Sequence, residues 1–200
     1  MTFPPDGGVP SALIGNEVFT DAGAPLTLSV LDYWQWSESD LAGRAQHAKI
    51  AEFLVAFALG ATQTAFDPEL PYTLLDPRGI ELVVSTHSDV NDWDHYKAPP
   101  IAFHRYPYSI PGVPFTEEAP EGSEPAHHHR VHVFSLLVDT NPKTVNPLDV
   151  SQWRFYVVPT SFLSERWPGE QKVSLDQLAT SAYGNHVAFA ALSDAVATRA

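Results

Sequence analysis

The stretch GIELVVSTHSDV, residues 79–90, carries side chains that could do chemistry if a strand presents them together. Successive strand residues point to opposite faces, so Glu81, Val83, Ser85 and His87 share one face. A carboxylate oxygen and an imidazole nitrogen are both ligands for divalent cations. Between them, however, stand a valine, which offers no ligand, and a serine, which offers only a neutral hydroxyl.

Two acidic residues outside this strand could complete a cation site. Glu52 lies among alanines, leucines and valines at helical spacing, so it shares the apolar face of a predicted helix, where a carboxylate is costly unless it is paired. Asp76 lies in the predicted turn just before the strand. Glu52, Asp76, Glu81 and His87 therefore form one candidate metal cluster. The alternative is that Glu81 and Asp76 are solvated turn charges and His87 an ordinary strand-end residue.

The run HHHRVH, residues 127–132, is a second candidate metal site. His127 and His129 share one face if the strand begins early, and imidazoles suit Zn²⁺ or Ni²⁺. The alternative is a solvated loop that leads into a strand, which leaves no metal site here.

The composition excludes several other kinds of site. The chain has no cysteine, so a disulfide, a cysteine nucleophile and a thiolate metal site are absent. No GxSxG elbow and no phosphate-binding glycine motif occurs. The formal charge is −13, from 11 basic and 24 acidic residues, which disfavours broad nucleic-acid binding, although a local basic groove is still possible.

The N-terminal residues and the hydropathy pattern predict a cytoplasmic protein. MTFPPDGGVP has neither the basic run nor the apolar segment of a signal peptide. No window of about 18 residues is uninterruptedly apolar, so we expect no membrane span.

Length and element order predict one α/β domain. The 200 residues, 44% of them hydrophobic, suffice for one sizeable core. Residues 1–30 are predicted as an irregular N-terminal arm with at most a short strand at LTLSV, and residues 31–200 as a single domain. The expected fold is a mixed central sheet flanked by helices.

A long helix is predicted within residues 32–60. Ser37 suits its N-cap, and Gly60 suits its C-terminal cap. Trp34 and Trp36, just before this helix, are predicted as core residues, with a groove of Asp32, Trp34 and Trp36 that stacks nucleic-acid bases as the alternative.

The remaining elements follow from β-branched runs, turn residues and capping signals. They are a hairpin of PYTLL (71–75) and IELVVSTH (80–87), a short strand near PPIAFHRY, an apolar central strand RVHVFSLLVD (130–139), a strand WRFYVVPT (153–160), a helix at SLDQLA (174–179) with a Ser174–Gln177 capping box, and a last helix in ALSDAVATRA.

Several segments, in this order, resemble a poorly characterised bacterial protein family. They are the helix SDL…AEFLVAFALG, the hairpin YTLLDPRGIELVVST followed by Trp93, the strand HVFSLLVD, and the block NPLDVSQWRFYVVPT followed by QKVSL. Together they span residues 32–178, and the NPLDVSQWRFYVVPT block is the most specific. The core of that family is similar to the PD-(D/E)XK nucleases, so the resemblance implies a restriction-endonuclease-like core.

The resemblance also implies where a nuclease site would lie. Such nucleases hold Mg²⁺ on an acid that closes one strand and on a second acid in the next strand. A lysine two residues after the second acid helps to place the attacking water, and a helix glutamate often joins them. In this chain the helix glutamate falls on Glu52 and the first acid on Thr73. The second acid falls on Val83 and the lysine on Ser85.

Three of these four groups are missing, which leaves three functional hypotheses. The first is a catalytically inactive, nuclease-like protein with a binding or regulatory role and no metal or other cofactor. The second is an Mg²⁺-dependent nuclease whose ligands have moved to Glu52, Asp76, Glu81 and His87. The third is a protein–protein interaction module that does not bind nucleic acid, which the acidic charge favours. The partner and the oligomeric state stay open.

Overall fold

A computed structural model of the chain describes residues 12–41, 43–62, 73–88, 100–105 and 130–200. Its strands and α-helices, in chain order, are β1 (Val18–Asp21), β2 (Ala24–Ser29), α1 (Val30–Glu38), α2 (Arg44–Leu59), β3 (Leu74–Leu75), β4 (Glu81–Ser88), β5 (Ala102–His104), β6 (Val131–Leu137), β7 (Trp153–Pro159), α3 (Thr160–Arg166), β8 (Lys172–Ser174), α4 (Leu175–Ala179) and α5 (Leu192–Arg199).

The centre of the protein is a four-stranded mixed sheet in the order β3-β4-β6-β7. β3 is antiparallel to β4, β4 is parallel to β6, and β6 is antiparallel to β7. Every residue of β6 is buried, as expected of a near-continuous apolar strand that is covered on both faces. The predictions of a mixed α/β sheet, of the hairpin and of a central β6 are confirmed.

The helices α2 and α5 cover one face of the sheet, which we call the helix face. Leu82 and Val84 of β4 belong to the same buried cluster as Val55 of α2 and as Leu192 and Val196 of α5. Burial of each such side chain stabilises the fold by about 1.5–3 kcal/mol, so this layer fixes α2 against β4.

The opposite face is covered by a two-stranded sheet and two short helices, and we call it the ribbon face. β5 pairs antiparallel with β8. Phe103 of β5 stacks on Phe134 of β6 with ring centroids 5.1 Å apart. Leu163 of α3 and Leu178 of α4 complete this second buried cluster.

The N-terminal region differs from its prediction. β1 and β2 form an antiparallel hairpin between residues 18 and 29, so the expectation of an irregular arm with at most one short strand is wrong here. The hairpin leads directly into α1. Ser29 caps α1, since its Oγ accepts the N–H of Asp32 at 3.2 Å and the Asp32 carboxylate accepts the N–H of Ser29 at 2.7 Å.

The predicted helix begins later than its proposed N-cap, and a separate helix, α1, precedes it. α1 ends at Glu38 and α2 begins after Gly43, so Ser37 lies in the last turn of α1 and is not an N-cap. The Ser29 capping box and the break before α2 overrode the continuous helical spacing. Trp36 is 84% exposed, so its assignment to the core is also wrong. Gly60 ends α2 at φ 73°, as predicted for a left-handed cap.

The C-terminal half follows its predictions closely. The Ser174–Gln177 capping box of α4 and the final helix α5 are both present. α3, directly after Pro159, was not predicted. Among the described residues, no helix has the length and apolarity needed to cross a membrane.

Candidate functional site

The positions aligned with a nuclease metal site lie on opposite faces of the central sheet. Leu82 and Val84 point to the helix face, so strand alternation places Val83 and Ser85 on the ribbon face. Glu52 belongs to α2, which packs on the helix face. The sheet therefore separates Glu52 from Val83 and Ser85.

The hydroxyl of Thr73 is used in the hairpin. Thr73 Oγ1 accepts the backbone N–H of Val84 at 3.1 Å, and Thr73 N donates to Leu82 O at 2.8 Å. Both groups are buried. The side chain thus extends the short ladder between β3 and β4, and its oxygen serves the strand pairing.

Ser85 and His87 attach β4 to β5 on the ribbon face. Ser85 Oγ donates to the carbonyl oxygen of His104. His87 Nδ1 donates to the carbonyl oxygen of Ala102 at 3.1 Å, and the His87 ring packs edge-on against Phe103. Where the resemblance puts a lysine, this chain has a hydroxyl that binds the neighbouring strand.

Val83 is fully buried beside a polar cluster that the sequence analysis missed. It pairs with His132 across β4 and β6. His132 Nε2 donates to the carbonyl oxygen of Arg105 at 2.7 Å, which leaves His132 Nδ1 to accept the hydroxyl of Thr160 at 3.2 Å. We call Arg105, His132 and Thr160 the Arg105 cluster.

Arg105 holds the segment between α3 and β8. Its guanidinium donates to the carbonyl oxygens of Trp167 at 2.8 Å and of Glu170 at 2.7 Å, and its backbone N–H donates to Gln171 O at 3.0 Å. The side chain is buried, and within the described part of the chain its Nε has no hydrogen-bond partner. An arginine after a short apolar strand gives no sequence signal of burial, because arginine is usually exposed.

Glu52 is a buried acid on the helix face. It is 8% exposed, and no hydrogen bond to its carboxyl is found among the described residues. Burial raises the pKa of Glu52 to about 7, and the positive charge of Lys49 opposes this rise. Near pH 7 the Glu52 carboxyl is therefore present in both its protonated and its ionised form.

Asp76 organises the turn between β3 and β4. Its Oδ1 accepts the N–H groups of Arg78 at 2.8 Å and Ile80 at 3.0 Å, and its Oδ2 pairs with the Arg78 guanidinium at 2.5 Å. Arg78 also donates to the carbonyl oxygen of Ser193 at 3.2 Å, which ties the turn to α5. Asp76 is a turn residue as one interpretation held, but it is buried and not solvated.

The structure does not bring the alternative metal cluster together. Glu52 lies on the helix face, whereas Glu81 and His87 alternate onto the ribbon face, and Asp76 is bound into its turn. Across the described ranges, no three His, Cys, Asp or Glu side chains are grouped so that they could hold a metal ion. His127, His129, Trp93 and residues 106–125 lie outside the described residues.

Comparison with protein-family models, curated proteins and solved structures found no match to this chain.

Proposed function

We propose that this chain is a binding protein that is built on a restriction-endonuclease-like core and does not hydrolyse nucleic acid. The observation that carries the proposal is the hydrogen bonding at the aligned positions. Thr73 Oγ1 accepts from Val84 N and Ser85 Oγ donates to His104 O, so both hydroxyls hold strands together. Metal-dependent hydrolysis needs oxygen ligands that converge on one ion and remain open to it.

A protein partner fits this chain better than nucleic acid does. With 24 acidic against 11 basic residues, the field around the chain repels phosphates. Large apolar side chains are exposed on the N-terminal hairpin, on α1 and on α2, and exposed apolar surface is typical of protein interfaces.

The second candidate is an Mg²⁺-dependent nuclease that uses Glu52 without Asp76, Glu81 and His87, since those three residues do not gather around Glu52. A buried carboxyl whose pKa is raised to about 7 is a group that could act as a general base at neutral pH. Burial alone raises the pKa of a carboxyl that has no strong positive partner. The raised pKa of Glu52 therefore does not by itself indicate catalysis.

A cleavage assay with two matched variants separates the candidates. Labelled single-stranded DNA, double-stranded DNA and RNA are incubated with Mg²⁺ or Mn²⁺ and the wild-type chain, Glu52→Gln or Glu165→Gln. Glu165 is an exposed acid on α3 and serves as the control. We expect no cleavage above the protein-free blank by any of the three. Cleavage by wild type and Glu165→Gln but not by Glu52→Gln would select the nuclease, and cleavage by all three would also contradict our proposal.

A second measurement tests binding without turnover. A ligand that binds only the folded chain raises the melting temperature, and the increase grows with the logarithm of the ligand concentration above its Kd. We expect neither Mg²⁺ nor Mn²⁺ to raise it, and we expect no salt-dependent affinity for the same oligonucleotides. Nucleic-acid binding that weakens steeply with salt would contradict the proposal of a protein partner and indicate a nucleic-acid partner instead.

A further inference from the structure

The N-terminal hairpin and α1 expose an unusual amount of apolar surface. Eight of the thirteen large hydrophobic side chains that are exposed in the described part of the chain lie between residues 14 and 36. They are Ile14, Val18, Phe19, Leu26, Leu28, Leu31, Tyr33 and Trp36. No side chain of β1, β2 or α1 is buried. We call residues 14–38 the N-terminal unit.

These elements lack the burial that normally stabilises such short structures. An isolated two-stranded hairpin is marginally stable in water, and so is an isolated helix of nine residues. Leu26 and Leu28 share one face of β2 by alternation, and both are exposed. The N-terminal unit therefore needs a surface that covers it.

α2 carries a second uncovered apolar surface. Lys49, Phe53 and Phe57 recur every four residues on its solvent-facing side, opposite the side that packs on the sheet. Phe53 is 59% exposed and Phe57 is 62% exposed, with ring centroids 6.3 Å apart. A solvent-facing helix stripe is normally polar, so two phenylalanines indicate a contact. We call these three residues the α2 stripe.

The charges of the two surfaces are complementary. Residues 12–41 contain five acidic residues and no Lys, Arg or His, whereas the α2 stripe begins with a lysine. The pairing already occurs within one copy, since Lys49 Nζ lies 3.0 Å from the carboxylate of Glu38 at the end of α1. Lys49 is still 60% exposed and can accept a further acidic partner.

We propose that two copies of this chain associate reciprocally, with the N-terminal unit of each copy packed on the α2 stripe of the other. A two-fold dimer gives each copy the same two contacts, so both apolar surfaces of both chains become covered. A contact of one N-terminal unit on the other would instead set four acidic residues against four, which is unfavourable. This inference goes beyond the proposed function, because it concerns self-association and does not depend on whether the chain hydrolyses nucleic acid.

Sedimentation velocity and light scattering measure the molar mass of the wild type and of three variants, two double variants and one single control. The hairpin variant is Leu26→Ser with Leu28→Ser, the stripe variant is Phe53→Ser with Phe57→Ser, and the control is Leu148→Ser. Leu148 is 67% exposed in the segment between β6 and β7, so it matches the size and exposure of the replaced residues. Because all five positions are exposed, circular dichroism and thermal melting should show folded proteins.

We expect wild type and Leu148→Ser to have twice the 22.0 kDa mass of one chain, and each double variant to dissociate with a Kd raised at least about tenfold. The decisive measurement is the association of an equal mixture of the two double variants. The hairpin variant keeps an intact stripe and the stripe variant keeps an intact hairpin, so a mixed pair has one of its two contacts. The mixture should associate more tightly than either variant alone and more weakly than wild type.

Three results would overturn the proposal. A wild-type chain that stays monomeric at every accessible concentration excludes a second copy as the occupant. A stripe variant that dimerises while the hairpin variant does not indicates a contact between two N-terminal units. A mixture no tighter than its components excludes the reciprocal arrangement. None of these measurements depends on hydrolysis, so they can refute the dimer without refuting the proposed function, and the cleavage assay can refute the proposed function without refuting the dimer.

Discussion

Replacing Glu52 by glutamine should stabilise the protein at about pH 8 and leave its stability almost unchanged at about pH 4. Glutamine has nearly the same shape as a protonated glutamate but never ionises. The pKa of Glu52 is raised in the folded chain from its ordinary value of 4.5 to about 7, because burial disfavours the charged form. At 1.36 kcal/mol for each pKa unit, the folded state loses up to about 3 kcal/mol when Glu52 is ionised in the unfolded chain.

The pH window follows from the two pKa values. Below about pH 4.5 the carboxyl is protonated in both states, and the wild type and the variant should unfold with similar free energies. Between 4.5 and about 7 the unfolded chain ionises first, so the stability of the wild type falls relative to the variant as pH rises. Above about pH 7 both states are ionised and the difference becomes constant.

Urea unfolding of both proteins across this range measures the difference directly. Other groups titrate in the same range, but they cancel because they are common to both chains. Glu38→Gln is the control of opposite sign, because the side-chain hydrogen bond from Lys49 holds the pKa of Glu38 below its usual value. Its stabilising contribution is lost on acidification, so Glu38→Gln should be the less stable protein near neutral pH. A difference between wild type and Glu52→Gln that does not change with pH would refute the burial argument.

Three further substitutions test the contacts around the sheet by urea or thermal unfolding. Arg105→Leu should destabilise the chain by about 1–3 kcal/mol, since it removes the donor to the Glu170 carbonyl oxygen and the shorter of the two hydrogen bonds to the Trp167 carbonyl oxygen. An unchanged stability would show that Arg105 does not hold the segment between α3 and β8. Thr73→Val should cost about 1–3 kcal/mol because it leaves the buried N–H of Val84 unpaired, whereas Thr73→Ser should cost less. Asp76→Ala should cost about 2 kcal/mol through the turn N–H groups and the Arg78 pair, and a loss no larger than for an exposed acid would count against it.

The strands could be predicted because their local signals agree with their burial. β6 and β7 are apolar runs that are buried almost throughout, and the turn before β4 has both proline and glycine. The long helix failed for the opposite reason. Ser37, Asp40 and Leu41 continue its sequence pattern N-terminally beyond Gly43, where α2 in fact begins, and only the capping box at Ser29 marks where α1 begins. Periodicity measures which residues could share a face, whereas the helix boundaries depend on backbone caps.

The candidate site was only half predictable. Alternation correctly groups Val83, Ser85 and His87 on one face, because the side-chain period of a strand is two. The same rule cannot tell which face a helix elsewhere in the chain will cover, since that depends on tertiary packing. Glu52 was therefore grouped with Glu81 and His87 on the basis of type, and the structure places it across the sheet from them.

The hydrogen bonds of Thr73, just before β3, and of Ser85, in β4, explain why these two positions are polar where the resemblance would place a metal site. A valine at position 85 would leave the carbonyl oxygen of His104 without the donor that Ser85 provides, and one at position 73 would leave the N–H of Val84 unpaired. Leaving the buried N–H of Val84 unpaired costs about 1–3 kcal/mol, which exceeds what a methyl group would gain at position 73. Contacts between strands therefore account for the polar residues at positions 73 and 85, so their polarity is not by itself a sign of catalysis.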